Sequence, residues 1–335
     1  MQDLPLLGVT MGDPSGSGSE IVVKAWADPA VRSRARMIVI GDAGWMEQAL
    51  ALVGVPGKVH AISDVRQARY APDELDVLQA TAVDLSGVEY GRVQAAAGQV
   101  AYDTVIAGID LAMERRIDAL VTSAINKEAL NLAGHHYDGH TGLLAYRTGT
   151  PKVTMMLKAG NFCVSHVSTH CSLREAIDRV KADRIVDVIR LTQRGLQQMG
   201  VERPRVAVAG LNPHSGEGGL FGDEEVREIG PAIERARAEG MEVYPVPVPP
   251  DTVFYLMAEQ QRFDAVVAMY HDQGHIPTKL IGFAEGVNIT LGLPIIRTSV
   301  DHGTNFGKAG KGTAYATSMI CAIDAAVALV TGKSA

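Results

Sequence analysis

The sequence is poor in cysteine. Of its 335 residues only Cys163, Cys171 and Cys321 are cysteines, and no two form a Cys-x-x-Cys pair. That argues against a disulfide framework and reads as three small apolar fillers in a protein of the reducing cytoplasm. Long hydrophobic runs are also missing. No segment reaches the roughly 18–20 apolar residues of a membrane span, and the opening MQDLPLLGVTMGDPSG has neither the basic nor the apolar region of a targeting segment. No basic tract offsets a net charge of −7. Nucleic acid is therefore excluded as a bulk partner, and an anionic small substrate would need local cations. There is no low-complexity segment, no internal repeat, no Gly-x-Gly-x-x-Gly and no His-Glu-x-x-His.

What is present points to a large α/β protein. The length implies two domains. Hydrophobic residues at 47% against 21% charged are ordinary for a globular chain, and 35 glycines suit short turns and close helix–sheet contacts. Leu6–Thr10 reads as a buried strand, followed by the turn MGDPSGSGSE and a helix capped by Ser19, with Glu20 in its favourable first turn. That layout also offers backbone N–H groups to a phosphate. Met37–Ile40 is a second strand, Gly44–Val53 a helix, and residues 56–90 give short edge strands and loops. Gly91–Arg116 forms a long helix with Val100, Val105, Ile109 and Met113 at helical spacing. Ala119–Thr122 is a buried strand, Asn126 caps a short helix carrying Lys127, and His140 and Thr141 begin the next helix. Lys152–Leu157 and Phe162–His166 form a hairpin, and Ser172–Met199 is one amphipathic helix begun by its serine. Arg205–Ala209 is a strand, and Glu224–Glu239, Thr252–Gln260 and Tyr315–Val330 are helices. Repeated strand–loop–helix units predict a largely parallel sheet.

Chemistry-bearing residues crowd one stretch, YHDQGHIPTKLIGFAEGVNITLGLPIIRTSVDHG, which holds His271, Asp272, His275, Lys279, Asn288, Arg297, Asp301 and His302. His271 follows an apolar run and so falls at the carboxyl end of a strand, where open α/β sheets bind ligands. His170 and His214 also follow apolar strands. Neutral imidazoles suit zinc or another divalent metal, and three of them with an open position is a catalytic arrangement. Each alone reads more readily as a structural or surface histidine than as a ligand, and His60 and His166 read as packing. Lys127, His140, Lys279 and Arg297 supply cations for a phosphate or carboxylate. Arg297 stands out, because LPII and TSV place it inside an apolar strand, where a charge needs an anion.

Taken together, GDPSGSGSE, NKEALNLAGH, GHT, VSTH, GLNPHSGEGGLFGDEE, PPDTVF, AMYHDQGHIPTKL and GVNITLGLPIIRTSVDHGT resemble the 4-hydroxythreonine-4-phosphate dehydrogenase family, from about residue 7 to 330. The resemblance implies a two-domain α/β/α fold similar to isocitrate and isopropylmalate dehydrogenases, with the active site in the interdomain cleft at a homodimer interface. Residues 1–138 and 300–335 would form an outer, cofactor-side domain and residues 139–299 a central one. The resemblance also implies one divalent metal (zinc, cobalt, manganese or magnesium) on His170, His214 and His271, the last from the neighbouring subunit. Substrate contacts fall to His140, Thr141, Lys279, Asn288 and Arg297. NAD or NADP falls to the loop DHGTNFGKAGKGTA, at Asp301, His302, Gly303 and Gly310.

The implied reaction oxidises the C3 hydroxyl of a 4-phosphorylated four-carbon acid and then decarboxylates the 3-oxo acid, with Lys279 or Asp272 moving the proton. The motif wording is nearer the branch acting on 4-phospho-D-threonate or 4-phospho-D-erythronate than the one acting on 4-phosphooxy-L-threonine. GHT with Arg297 argues against a third branch, which acts on aromatic cis-dihydrodiol carboxylates. Gly142 stands where relatives commonly carry glutamate, and GDPSGSGSE where GDPAGIGPE is usual; the lost glutamate removes a partner for an ammonium or hydroxyl group. A non-redox phosphate acyl- or phosphoryl transferase is the alternative class, opposed by the three histidines and the DHGT…AGKG loop. A metal-dependent ligand sensor would bind without turnover.

Overall fold

The structure, a computed structural model, describes residues 4–137 and 139–333. Its strands, in chain order, are β1 Leu6–Thr10, β2 Arg36–Gly41, β3 Lys58–Ile62, β4 Glu74–Gln79, β5 Ala119–Thr122, β6 Thr154–Ala159, β7 Phe162–His166, β8 Val206–Val208, β9 Ala265–Ala268, β10 Val287–Leu291 and β11 Arg297–Val300. They fall into two units, one built from the chain up to Pro151 with Leu293–Thr331, the other from Lys152–Gly292.

In the first unit all six strands are parallel, in the order β3-β4-β2-β1-β5-β11. β5 is buried throughout, and apolar up to Thr122, because it is covered on both faces. Gly8 in β1 has no room for a side chain, since a Cβ there would lie 2.6 Å from Ile117 Cδ1 and 2.9 Å from Ile40 Cδ1. The helix Ala95–Met113 turns Val100, Val105 and Ile109 into the core, whereas Met113 has left it and is 45% exposed. Gly98 on this helix touches backbone: a Cβ there would be 2.0 Å from Ala129 O. That close approach seats the short helix Lys127–Leu132, which Asn126 caps by accepting the Ala129 N–H.

The second unit is mixed rather than parallel. Its order is β10-β6-β7-β9-β8, with β10, β6 and β7 antiparallel and β7, β9 and β8 parallel. The hairpin β6–β7 is the cause, because a tight connection can only join antiparallel strands. Phe162, Val164, Ala207, Val253, Met257, Val266 and Ala268 form its core.

Several expected boundaries move for identifiable reasons. The units part at 151/152 and 292/293, not at 138/139 and 299/300, because Leu143 and Leu144 enter the first core and β11 pairs with β5. His140, Thr141 and Arg297 therefore belong to the first unit. The stretch Ser172–Met199 is two helices, Leu173–Asp178 and Ala182–Gln198. Glu228 makes the break by accepting the Ala182 N–H at 2.8 Å and pairing with Lys181 Nζ at 3.2 Å, which caps a new helix. Glu224–Glu239 likewise starts as a π-type turn, Glu225–Ile229, before Pro231 helps open the α-helix Gly230–Ala238. Among the described residues no helix is long and apolar enough to cross a membrane.

Gly98→Ala tests the helix contact. The variant should lose roughly 1–3 kcal/mol of stability through overpacking, read as a lower denaturant midpoint at unchanged slope. An unchanged midpoint would mean the helices part without cost.

Candidate active site

In the first unit a charge lies deep in the sheet. Arg297 opens β11 and is 2% exposed. It donates to Thr122 Oγ1 from Nε at 3.1 Å and from Nη2 at 2.6 Å, and Ser299 Oγ donates to Thr122 O at 3.0 Å. Burial lowers the guanidinium pKa to about 9, so it remains protonated at neutral pH. His140 begins the helix His140–Thr148. Burial, and then the charge of Arg297, push its pKa well below the ordinary histidine value. The imidazole is neutral, and its enclosed Nε2 has no hydrogen-bond partner among the described residues. Lys127 reaches the same helix start: its Cε is 3.3 Å from where a Cβ of Gly139 would be, a residue held at φ +112°. Half-buried Thr141 lies in the first helical turn. A buried cation, a neutral imidazole with an unpartnered nitrogen and a helix N-terminus together favour an oxygen-rich anion. At Gly142 a Cβ would meet nothing within 4 Å, so a side chain there would enter open space.

The glycine turn does something other than offer its N–H groups to a phosphate. Asp13 N donates to Ala124 O, Ser15 N to Asp13 Oδ1, Gly16 N to Asp13 O and Ser17 N to Thr304 O. The helix that follows starts at Gly18 with Ser17 at its cap position, and Ser19 is buried inside the first turn rather than capping it. The turn is a structural anchor. Within it, Asp13 is buried, its Oδ2 has no hydrogen-bond partner among the described residues, and burial pushes its pKa up to about 6 against the hydrogen bonds from Ser15 and Asn126. A carboxyl poised near neutrality at a strand's end is a general acid–base candidate that composition and spacing did not single out.

The candidate cofactor-loop residues lie on the same unit. His302 Nδ1 is 2.8 Å from Gly303 O, and Gly310 N donates to Glu20 Oε1 at 2.7 Å. Asp301 follows β11 directly.

The metal-ligand candidates lie in the second unit. His271 begins the helix His271–Gly282, and its Nδ1 is 2.6 Å from Asp272 Oδ1, which leaves Nε2 as the nitrogen for a ligand. Its ring stacks on His275 with centroids 3.6 Å apart, and His275 Nδ1 lies 3.2 Å from Nε2 of buried His166. Gly274 makes room for this pair, since a Cβ there would be 2.3 Å from His166 Nε2. Burial and then His275 lower the His166 pKa to about 3, so that ring is a neutral packing element. His170 and His271 are neighbours, with ring centroids 5.8 Å apart. His214 is not gathered with them: no group of three metal-binding side chains forms among the described residues.

His214 instead lies on a left-handed run, with φ of 51° at His214, 54° at Ser215, 78° at Gly216, 46° at Glu217 and 69° at Gly218. Each non-glycine residue there costs about 1–2 kcal/mol. Buried Glu225 holds the base of the run by accepting from Leu211 N, Asn212 N and Asn212 Nδ2 at 2.7, 2.7 and 2.9 Å. Lys279 is on the His271 helix with Nζ 5.5 Å from the Phe283 ring centroid, and Asn288 lies in β10 opposite Leu157.

A family model described as pyridoxal phosphate biosynthetic protein PdxA matches residues 33–326. The chain belongs to the PdxA family. It is 47% identical over 324 residues to D-threonate 4-phosphate dehydrogenase of Salmonella typhimurium, covering 96% of this chain and 98% of that one. Among solved structures, 4-hydroxythreonine-4-phosphate dehydrogenase from Klebsiella pneumoniae superposes with a TM-score of 0.88 at 45% identity, covering 98% of this chain and 100% of that one. A β-decarboxylating dehydrogenase from Thermococcus kodakarensis, at TM-score 0.51 and 13% identity over 95% of this chain and 81% of that one, shares the fold alone.

Asp13 carries a prediction with a definite sign. Its folded pKa of about 6 lies above the ordinary value of 3.8. The stability it contributes is therefore complete below pH 4 and is lost as pH rises through 6. Denaturation of the wild type should show a decline of up to about 2–3 kcal/mol across that window, and Asp13→Asn should flatten it. An identical pH profile in the variant would remove the carboxyl from this role.

Proposed function

We propose that the protein is a dehydrogenase that oxidises the C3 hydroxyl of 4-phospho-D-threonate or 4-phospho-D-erythronate with NAD or NADP, the 3-oxo acid then losing carbon dioxide. The carrying observation is the buried Arg297 guanidinium beside neutral His140, in a chain 47% identical to a D-threonate 4-phosphate dehydrogenase. Arg297 and Lys127 bind the phosphate, and His140 Nε2 and Thr141 hydrogen-bond its oxygens. The motif wording and the 47% identity to a D-threonate 4-phosphate dehydrogenase support a hydroxy acid over an amino acid. A dihydrodiol carboxylate has no phosphate to partner Arg297.

A divalent metal on His170, His214 and His271 belongs to the same reading. His170 and His214, joined by the partner subunit's His271 with its ring oriented by Asp272, are a donor set suited to a transition metal. When bound, the metal supplies Lewis acidity to the substrate's oxygens and the nicotinamide ring accepts the hydride. Lys279 takes the hydroxyl proton, Asn288 orients the substrate, and Asp272 acts through the His271 ring. A homodimer completes the metal set, with His271 as the contribution to the neighbour. Exposed Ile276, Leu280 and Phe283, at 65%, 85% and 78%, give that helix an apolar face beside His271 for a second copy to cover. The low cysteine count, with no Cys-x-x-Cys pair, agrees with a reducing cytoplasm.

Two variants test this. Arg297→Ala should raise KM for the phosphorylated substrate roughly 100-fold and leave a dephosphorylated analogue nearly unaffected; equal losses would make Arg297 structural. His214→Ala should abolish metal-dependent turnover while the dimer survives in sedimentation. Full activity after metal depletion would remove the three-histidine assignment.

A further inference from the structure

The motif GDPSGSGSE and the helix after it, Gly18–Ala27, have no place in the phosphate or metal readings, yet they carry two charged side chains with an unusual use. Glu20 is fully buried, a costly position for a carboxylate without partners. Its Oε1 accepts the Gly310 N–H at 2.7 Å, and Oε2 is enclosed with no hydrogen-bond partner among the described residues. Lys24, one helical turn on, is at the spacing that commonly forms a Glu–Lys pair. It donates instead to Gly312 O at 2.7 Å and Ala314 O at 2.6 Å.

The turn joins the grip. Ser17 N donates to Thr304 O at 2.9 Å, and a Cβ at Gly16 would be 2.6 Å from that same oxygen. Gly310 is pinned from its other side by Tyr90, whose Cδ2 would meet a Cβ there at 2.5 Å. All these groups belong to the first unit.

We propose that Glu20 and Lys24 are positioning residues for the dinucleotide, acting through the loop that runs from Asp301 to Ala314. The inference rests on the reading of that loop as the cofactor loop. Gly303, Gly307, Gly310 and Gly312 make it a segment with much conformational freedom to lose, and Gly310 and Gly312 sit at φ +72° and +63°. Holding such a loop in one conformation before the ligand arrives removes the ordering cost from the binding step. The clamp touches neither phosphate-binding nor metal-binding residues, so its effect is confined to the cofactor.

The test is Lys24→Met, which keeps the aliphatic stem and removes both bonds to the loop. NADH titration by protein fluorescence should show affinity about ten-fold weaker. KM for the phosphorylated substrate and kcat at saturating cofactor should stay within about two-fold, the experimental scatter for a remote site. Amide exchange over residues 304–314 should accelerate. Glu20→Gln, which keeps an acceptor for Gly310 N, should bind NADH more tightly than Glu20→Ala. His302→Ala is the control on the loop reading. If it weakens NADH binding and Lys24→Met does not, the clamp is overturned and the loop reading survives. If neither variant changes NADH affinity, both are overturned.

Discussion

The bonds from buried Arg297 to Thr122 constrain the rest of the first unit. A guanidinium at 2% exposure loses most of its hydration, and its pKa of about 9 records that cost. Burial, and then the charge of Arg297, keep His140 neutral, so desolvation shapes both groups of the proposed phosphate site. Replacing a buried charge with apolar residues is often neutral or stabilising, so its presence argues for function rather than stability. An anion that partners Arg297 should also stabilise the fold, because it binds the native state alone.

Where structure depends on local pattern, the sequence was readable. Ala119–Val121 of β5 are an unbroken apolar run, Asn126 and Ser172 are caps within three residues of the N–H groups they accept, and β6–β7 is a hairpin around a glycine. Where a distant group decides, it was not. The break before Ala182 comes from Glu228, far along the chain. Ser17 N is taken by Thr304, so a turn that looks open to phosphate is closed from the other end of the sequence. Asp13 acquires its raised pKa from burial, which spacing cannot report.

The candidate site divides in the same way. The sequence marks His140 at a helix start and places Arg297 inside a strand, whereas Arg297 in fact opens β11, and among the described residues His214 does not join His170 and His271 in a group of three. Its left-handed run is imposed by Glu225, and strain of that kind persists only where surrounding structure over-determines it. Residues that do no chemistry, among them Glu225, Gly274 and Glu20, hold in place the ones proposed to do it.

The central claim is the identity of the substrate. The most direct measurement follows NAD reduction by one metal-loaded preparation on 4-phospho-D-threonate, 4-phospho-D-erythronate and 4-phosphooxy-L-threonine side by side. The account predicts the highest kcat/KM for one of the two hydroxy acids and a much lower value for the amino acid. A clear preference for 4-phosphooxy-L-threonine, or no reduction with any of the three, would contradict it.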